Sequence, residues 1–129
     1  MKSAKISGEA GSETRVVILD SGEEAFATLT KFANDAGILA ASLTAIGAFE
    51  RATVGWFDFE KTTYKKIEVT EQCEVLSAIG DIAVGDDGKA SSTCMWSWVW
   101  PTARPAAGIS SKERFDPRSR SLLQIRQLT

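Results

Sequence analysis

The chain has 129 residues, 43% of them hydrophobic and 25% charged, which is enough for one globular domain with a real core. Its formal net charge of −2 argues against a general nucleic-acid surface, which requires a clustered basic excess. No apolar run is long enough to cross a bilayer and the first residues lack the hydrophobic core of a signal peptide, so we predict a cytoplasmic protein without a membrane partner.

Residue usage argues against several kinds of site. The chain contains no histidine, which a neutral-pH acid–base catalyst or a zinc site would usually use. The two cysteines, Cys73 and Cys94, form neither a zinc-binding spacing nor a disulfide framework. The sequence therefore assigns no catalytic and no metal-binding residue, leaves any cofactor-binding residue unknown, and gives no positive sign of an enzyme.

The N-terminal part predicts a strand followed by a helix. Residues 1–13 are expected to form a flexible N-terminus, and the β-branched run from Thr14 to Leu19 predicts a strand. Asp20 or Ser21 is expected to cap a helix that ends at Gly37. One apolar face recurs at helical spacing, through Phe26, Leu29, Ala33 and Ala36.

The middle of the chain predicts antiparallel strands. These strands span Leu39–Phe49, then Arg51–Phe57 after a tight turn, then Tyr64–Val69, and finally Cys73–Val84 with a bulge or kink at Gly80. Residues 85–88, Gly-Asp-Asp-Gly, indicate a hairpin turn. Together these elements predict an α+β fold, a mostly antiparallel sheet with one main helix packed on it.

The segment after that turn, KASSTCMWSWVW, has three interpretations. As a strand it would place Trp96, Trp98 and Trp100 on one face and Met95, Ser97 and Val99 on the other. Three tryptophans could form a stacking platform for bases or sugars. Strict alternation without a basic groove is a weak signal for such a platform, and it favours a strand whose aromatic face is buried or a segment foreign to the fold.

Residues 14–88 resemble the PPC (plants and prokaryotes conserved) domain in its bacterial single-domain form. The resemblance covers about two-thirds of the chain, and its specificity comes from the order and spacing of several short stretches. These stretches are Ser42–Ala48 (SLTAIGA), Gly55–Asp58 (GWFD), Tyr64–Ile67 (YKKI), Glu74–Ser77 (EVLS), Gly80–Ile82 (GDI) and Asp87–Gly88. It implies an α+β domain, incomplete in this chain.

Residues 89–129 depart from the family pattern abruptly. In the family an H-x-H strand and later a G-G-H-L motif follow the Asp-Gly turn, and neither is present here. Read one base out of frame, Met95–Trp96 is forced to GTG for valine, and Ser92–Thr93 can give CAC for histidine. We therefore predict that residues 89–129 are an out-of-frame tail, with the family's C-terminal strands lost or improvised.

The resemblance also implies a metal site that this chain lacks. Intact members are expected to hold a metal through the histidines of the two motifs, and neutral imidazoles suit zinc. Such a site would serve a metal-dependent enzyme or a small-molecule binder. Without those histidines we predict no metal and no cofactor in this chain, which would be a degraded member. Glu74 and Asp81 could be offered as substitute ligands, but two isolated carboxylates on a strand are more typical of an exposed face.

Two kinds of partner follow from the same resemblance. Plant members join the domain to AT-hooks that bind the minor groove of DNA, and bacterial members carry a DNA-binding label by association, but no R-G-R-P occurs here. PPC domains also look like trimers, for which Leu39–Phe49 and Cys73–Val84 would supply the shared surface. We therefore predict a homotrimeric, DNA-associated regulatory module.

Overall fold

The computed structural model describes residues 1–8, 12–99, 105–115 and 121–127, with the backbone alone for Trp96, 108–115 and 121–127. Within these residues the chain forms one helix and eight strands. In chain order they are β1 (Lys2–Ser7), β2 (Thr14–Leu19), α1 (Ala25–Asp35), β3 (Ala41–Asp58), β4 (Thr63–Val69), β5 (Cys73–Val84), β6 (Ala90–Val99), β7 (Pro105–Phe115) and β8 (Ser121–Gln127). In the described part of the chain, no helix is long and apolar enough to cross a membrane.

All strands join one antiparallel sheet in the order β1-β2-β8-β3-β5-β6-β7, with β4 also paired to β3. The long strand β3 is central, because its first part pairs with β5 and β8 and its second part with β4 and β7. β7 pairs with both β6 and β3, so the sheet curls back on itself. The predicted α+β class, a mostly antiparallel sheet with one helix, is confirmed.

The turn predicted near Glu50 does not exist. β3 runs without interruption through this position, and its register shifts between Ala45 and Gly47 against β5 and between Phe49 and Arg51 against β7. Such irregularities bend a strand and increase its twist without reversing it. The strand can therefore change partners along its length.

Both ends of the chain contribute paired strands to the sheet. The expected flexible N-terminus contains β1, which pairs with β2, and Glu13 reinforces this pairing through ion pairs with Lys5 (Nζ to Oε2, 3.0 Å) and Arg15. The C-terminal strands were expected to be lost or improvised, and the described residues form β7 and β8, which pair with β3 along much of its length. Strand pairing depends on partners that are distant in sequence, which local composition does not reveal.

The helix begins later than predicted. Glu24 is the N-cap, and its carboxylate accepts hydrogen bonds from the backbone N–H groups of Phe26 (3.0 Å) and Ala27 (2.8 Å). Asp20, one of the two predicted caps, instead binds the Met1 amine. At the other end Gly37 follows the C-cap with a positive φ of 66°, as the sequence predicts.

The core lies between α1 and the concave side of the sheet. α1 contacts β6 and β7 and buries Leu29, Phe32 and Ala33. Beneath them Phe49 and Trp98 meet edge to face, with ring centroids 6.0 Å apart. The other buried hydrophobic residues come mainly from β2, β3 and β5, so one continuous core holds helix and sheet together.

A bulge in β5 decides which side chains face outward. Val75 pairs with Trp98 and Ser77 with Ser97, so Leu76 is an extra residue on β5. Buried positions before it are odd-numbered and those after it, such as Ala78, are even-numbered. The predicted bulge or kink at Gly80 is instead a close approach of two strands, since a Cβ there would lie 2.1 Å from the Thr93 carbonyl oxygen.

Candidate functional site: an exposed apolar face of the sheet

The tryptophan segment forms β6 and contributes to the core. Trp98 is only 2% exposed, whereas Met95 on the opposite face is 62% exposed. The alternation confirms the interpretation of a strand with a buried aromatic face at Trp98, and a ring so buried cannot stack on a base. The side chain of Trp96 and all of Trp100 lie outside the described residues.

Two side-chain clamps fix β6 against the helix. The Asn34 side-chain amide donates to the Ala90 carbonyl (2.9 Å) and accepts from the Ala90 N–H (3.0 Å). Thr30 Oγ1 lies 3.2 Å from the hydroxyl of the buried Ser92. The preceding turn is the predicted hairpin turn, with Gly88 at a φ of 74°. The outer face of β6 is therefore held in a defined orientation.

The described residues do not fit a zinc site of the kind the family resemblance implies. No group of three or more His, Cys, Asp and Glu converges among them, and the chain has no histidine. Glu74 and Asp81 are both exposed on β5, as the exposed-face interpretation expects. Cys73 and Cys94 are buried and not joined in a disulfide, and burial raises the pKa of Cys73 to about 11, far from a metal-binding thiolate.

The outer face of β3, β5 and β6 carries a contiguous apolar surface. Thr44, Ile79 and Met95 are direct neighbours across the three strands, and Ile79 and Met95 are 64% and 62% exposed. Ile46 and Leu76 extend the surface at the level of the bulge, and both are more than half exposed. We call Ile46, Leu76, Ile79 and Met95 the outer patch.

A recess of about 170 Å³ lies within this face. Its lining is formed by Ser77, Ile79, Met95, Ser97 and Ala107. The Ser97 hydroxyl donates to the Ser77 carbonyl (3.3 Å), so the polar groups at the floor are engaged. On the first part of β3 and the described faces of β5 and β6, the only charged side chains pointing outward are Glu74 and Asp81.

The comparison with protein families decides which family the fold represents. The family model of the Plants and Prokaryotes Conserved (PCC) domain matches residues 7–100. The chain belongs to this family. It is the family that the resemblance over residues 14–88 predicts, under the abbreviation PPC. No curated protein matches the chain.

Solved structures resemble the PCC-domain chain over almost its whole length. A plant- and prokaryote-conserved protein from Pyrococcus horikoshii has a TM-score of 0.86 and 22% identity, covering 96% of this chain and 85% of that one. A metal-containing protein from Archaeoglobus fulgidus has a TM-score of 0.83 and 23% identity, covering 100% and 86%. A candidate DNA-binding protein from Ralstonia eutropha JMP134 has a TM-score of 0.82 and 21% identity, covering 95% and 81%. At these identities the likeness establishes the fold.

The outer patch of this PCC domain was only partly predictable. The sequence indicates Leu39–Phe49 and Cys73–Val84 as a shared surface, and Ile46, Leu76 and Ile79 lie within them. Met95 was not identified as part of that surface, although the alternation of β6 already separates it from the tryptophans. The recess depends on the register of β5, β6 and β7, which no local pattern specifies.

Proposed function

We propose that this PCC-domain chain is a self-associating module, a homotrimer in its simplest form, whose outer patch is covered by other copies. The observation that carries the proposal is the apolar surface around Ile79 and Met95, which lies on regular strands and is more than 60% exposed at both residues. Contiguous apolar surfaces around a formed recess are typical of protein interaction sites. Homo-oligomers with closed symmetry are the commonest assemblies that cover such a surface.

A charge in the centre of the patch tests this proposal. Ile79→Asp should leave the monomer folded, because the residue faces solvent and pairs with the exposed Thr44 and Met95. It should weaken self-association strongly, since burying an unpaired carboxylate is unfavourable. Sedimentation equilibrium measures the mass, and circular dichroism checks the fold.

Ile6→Asp provides the matched control. Ile6 is also more than half exposed but lies on the edge strand β1, away from the outer patch. It should sediment like the unmodified chain. Equal assembly of the Ile79→Asp chain and the unmodified chain would contradict the proposed role of the patch.

DNA association is the second candidate function. It is supported by a structurally similar protein described as a candidate DNA-binding protein. The formal charge of −2 works against this function, because affinity for DNA rests mainly on neutralising phosphates. Gel-shift binding of the full chain to an A·T-rich duplex at physiological salt would support it. Failure to bind would eliminate it.

The absence of the family's histidines bears on metal binding. We propose that it carries no zinc and that the metal-dependent activity implied for intact members is defective here. The alternative, a degraded member of a metal-dependent enzyme or small-molecule-binding family, is supported by the metal-containing relative from Archaeoglobus fulgidus. A cytoplasmic location is part of the same proposal and is supported by two cysteines that are not joined in a disulfide.

A further inference from the structure

We propose that the β3–β4 hairpin of one copy docks into the recess on the outer face of the next copy, with Phe59 as the inserted side chain. This inference rests on the proposed self-association and specifies how it occurs. Hairpin and recess are different surfaces, so the contact is heterologous, and such contacts form a ring when the rotation between copies closes.

The hairpin extends beyond the remainder of the described sheet. β7 pairs with β3 only as far as Gly55, and the described pairing of Trp56 to Asp58 is with β4 alone. This ribbon is about 10 Å long at 3.3 Å per residue, and a free two-stranded ribbon has marginal stability in water. Contact with a partner would therefore increase the stability of this ribbon.

Aromatic side chains give the hairpin a defined surface. The Phe57 ring stands edge-on to those of Phe59 and Tyr64, with centroids 5.2 and 5.1 Å apart. The Tyr64 ring also covers Gly55, because a Cβ at Gly55 would lie 3.1 Å from Tyr64 Cδ1. On the other face Trp56 is more than half exposed. Phe59, at the tip, is 86% exposed, so most of its ring is in contact with solvent.

The recess has the size and chemistry to accept this ring. Its volume is about 170 Å³, and an apolar cavity of roughly 150 Å³ accommodates benzene. Ile79 and Ala107 supply apolar walls, and the thioether of Met95 makes favourable contacts with aromatic ring edges. In the free monomer most of the Phe59 ring lies in water, and its one aromatic contact is the edge-on pair with Phe57.

Lysines of the hairpin can pair with carboxylates around the recess. Glu74 and Asp81 are exposed on the same outer face as the recess. On the hairpin Lys61, Lys65 and Lys66 are exposed and make no ion pair with any described residue. The hairpin also carries the carboxylates of Asp58, Glu60 and Glu68, so its net charge is balanced and the complementarity is confined to the three lysines. Asp58 accepts from the Lys61 N–H (3.2 Å) and Glu68 from the Thr53 hydroxyl (3.0 Å). Opposite charges of this kind orient two surfaces as they meet.

Truncation of the inserted ring is the first test. Phe59→Ala should raise the dissociation constant for self-association roughly tenfold or more, as expected for a central anchor, and lower the melting temperature of the monomer only slightly, through the lost Phe57 contact. Ile6→Ala is the control and should have no effect. Lys65→Glu/Lys66→Glu and Glu74→Lys/Asp81→Lys should each weaken association, and the chain carrying all four substitutions should recover it.

Cross-linking tests the direction of the contact. A mixture of Phe59→Cys and Met95→Cys chains should form a disulfide-linked dimer containing one copy of each, whereas neither chain alone should cross-link through its new cysteine. Self-linking of Phe59→Cys would indicate hairpin-to-hairpin pairing and overturn the proposal. Undiminished assembly of Phe59→Ala would also overturn it, but would leave the self-association of the outer patch standing. An unmodified chain that is monomeric would contradict both.

The experiments on Phe59 can also point to a nucleic-acid partner for the hairpin. Unchanged assembly of Phe59→Ala together with weaker binding to a single-stranded oligonucleotide would assign the aromatic tip to a nucleic-acid partner. That result would replace the docking of a second copy.

Discussion

Cys73 illustrates how burial in the sheet changes the chemistry of one side chain. The residue is 1% exposed, and burial raises the pKa of its thiol from 9.0 to about 11, with a smaller contribution from the nearby Glu71 carboxylate. The neutral thiol is therefore favoured in the folded chain. Since thiolates are the reactive species, this cysteine is a packing residue in the folded state.

Its pKa predicts a dependence of stability on alkaline pH. The contribution of Cys73 is complete below pH 9 and is lost as the pH rises toward 11, because the unfolded chain releases the proton first. The free energy of unfolding, measured by urea titration at several pH values, should fall across this interval by more in the unmodified chain than in Cys73→Ala. Equal slopes would contradict the raised pKa. At pH 8 the folded thiol should resist alkylation.

At the scale of elements, the sequence predicts the existence of strands better than their partners. Cys73–Val84 was predicted with the bounds observed, and the turn after it was correct. The cap at Glu24 was missed because Asp and Ser are the preferred capping residues. The turn at Glu50 was wrong because the bend of β3 depends on its change from β5 to β7, a tertiary feature. The bulge at Leu76, which shapes the outer patch, is likewise set by pairing.

The clamp between Asn34 and Ala90 predicts how firmly β6 is attached to the helix. Asn34→Ala removes two hydrogen bonds and leaves the buried Ala90 backbone groups with fewer partners, at an expected cost of about 1–3 kcal/mol in unfolding free energy. Lys31→Ala, which removes only the exposed ion pair with Asp35, is the control and should cost far less. Similar denaturation midpoints for the two variants would show that the clamp does not hold β6.

At the scale of the whole molecule, the sheet continues beyond the part of the chain that matches the family model. The family model ends at residue 100, while the described backbone continues through β7 and β8 in the same sheet. Backbone pairing tolerates many side chains, whereas a metal site requires particular ones. The family fold can therefore be present without the histidines that the H-x-H and G-G-H-L motifs would supply.

The zinc content of the purified chain tests whether the fold is present without the metal site. The chain purified without chelators should contain far less than one zinc per chain by elemental analysis, because the described residues present no converging ligand set. The nucleotide sequence around Lys89–Ser92 should yield H-x-H and G-G-H-L when one base is restored, and that restored chain should bind zinc. Stoichiometric zinc in the chain as it stands would contradict the first expectation. A restored sequence without these motifs would contradict the out-of-frame interpretation.

Self-association is the central claim, and the mass of the unmodified chain in solution tests it most directly. Sedimentation equilibrium over a range of protein concentrations should show a species of about three times the 13.9 kDa chain mass. The outer patch and hairpin would then be buried in the assembly. A chain that stays at 13.9 kDa at every concentration would contradict the account.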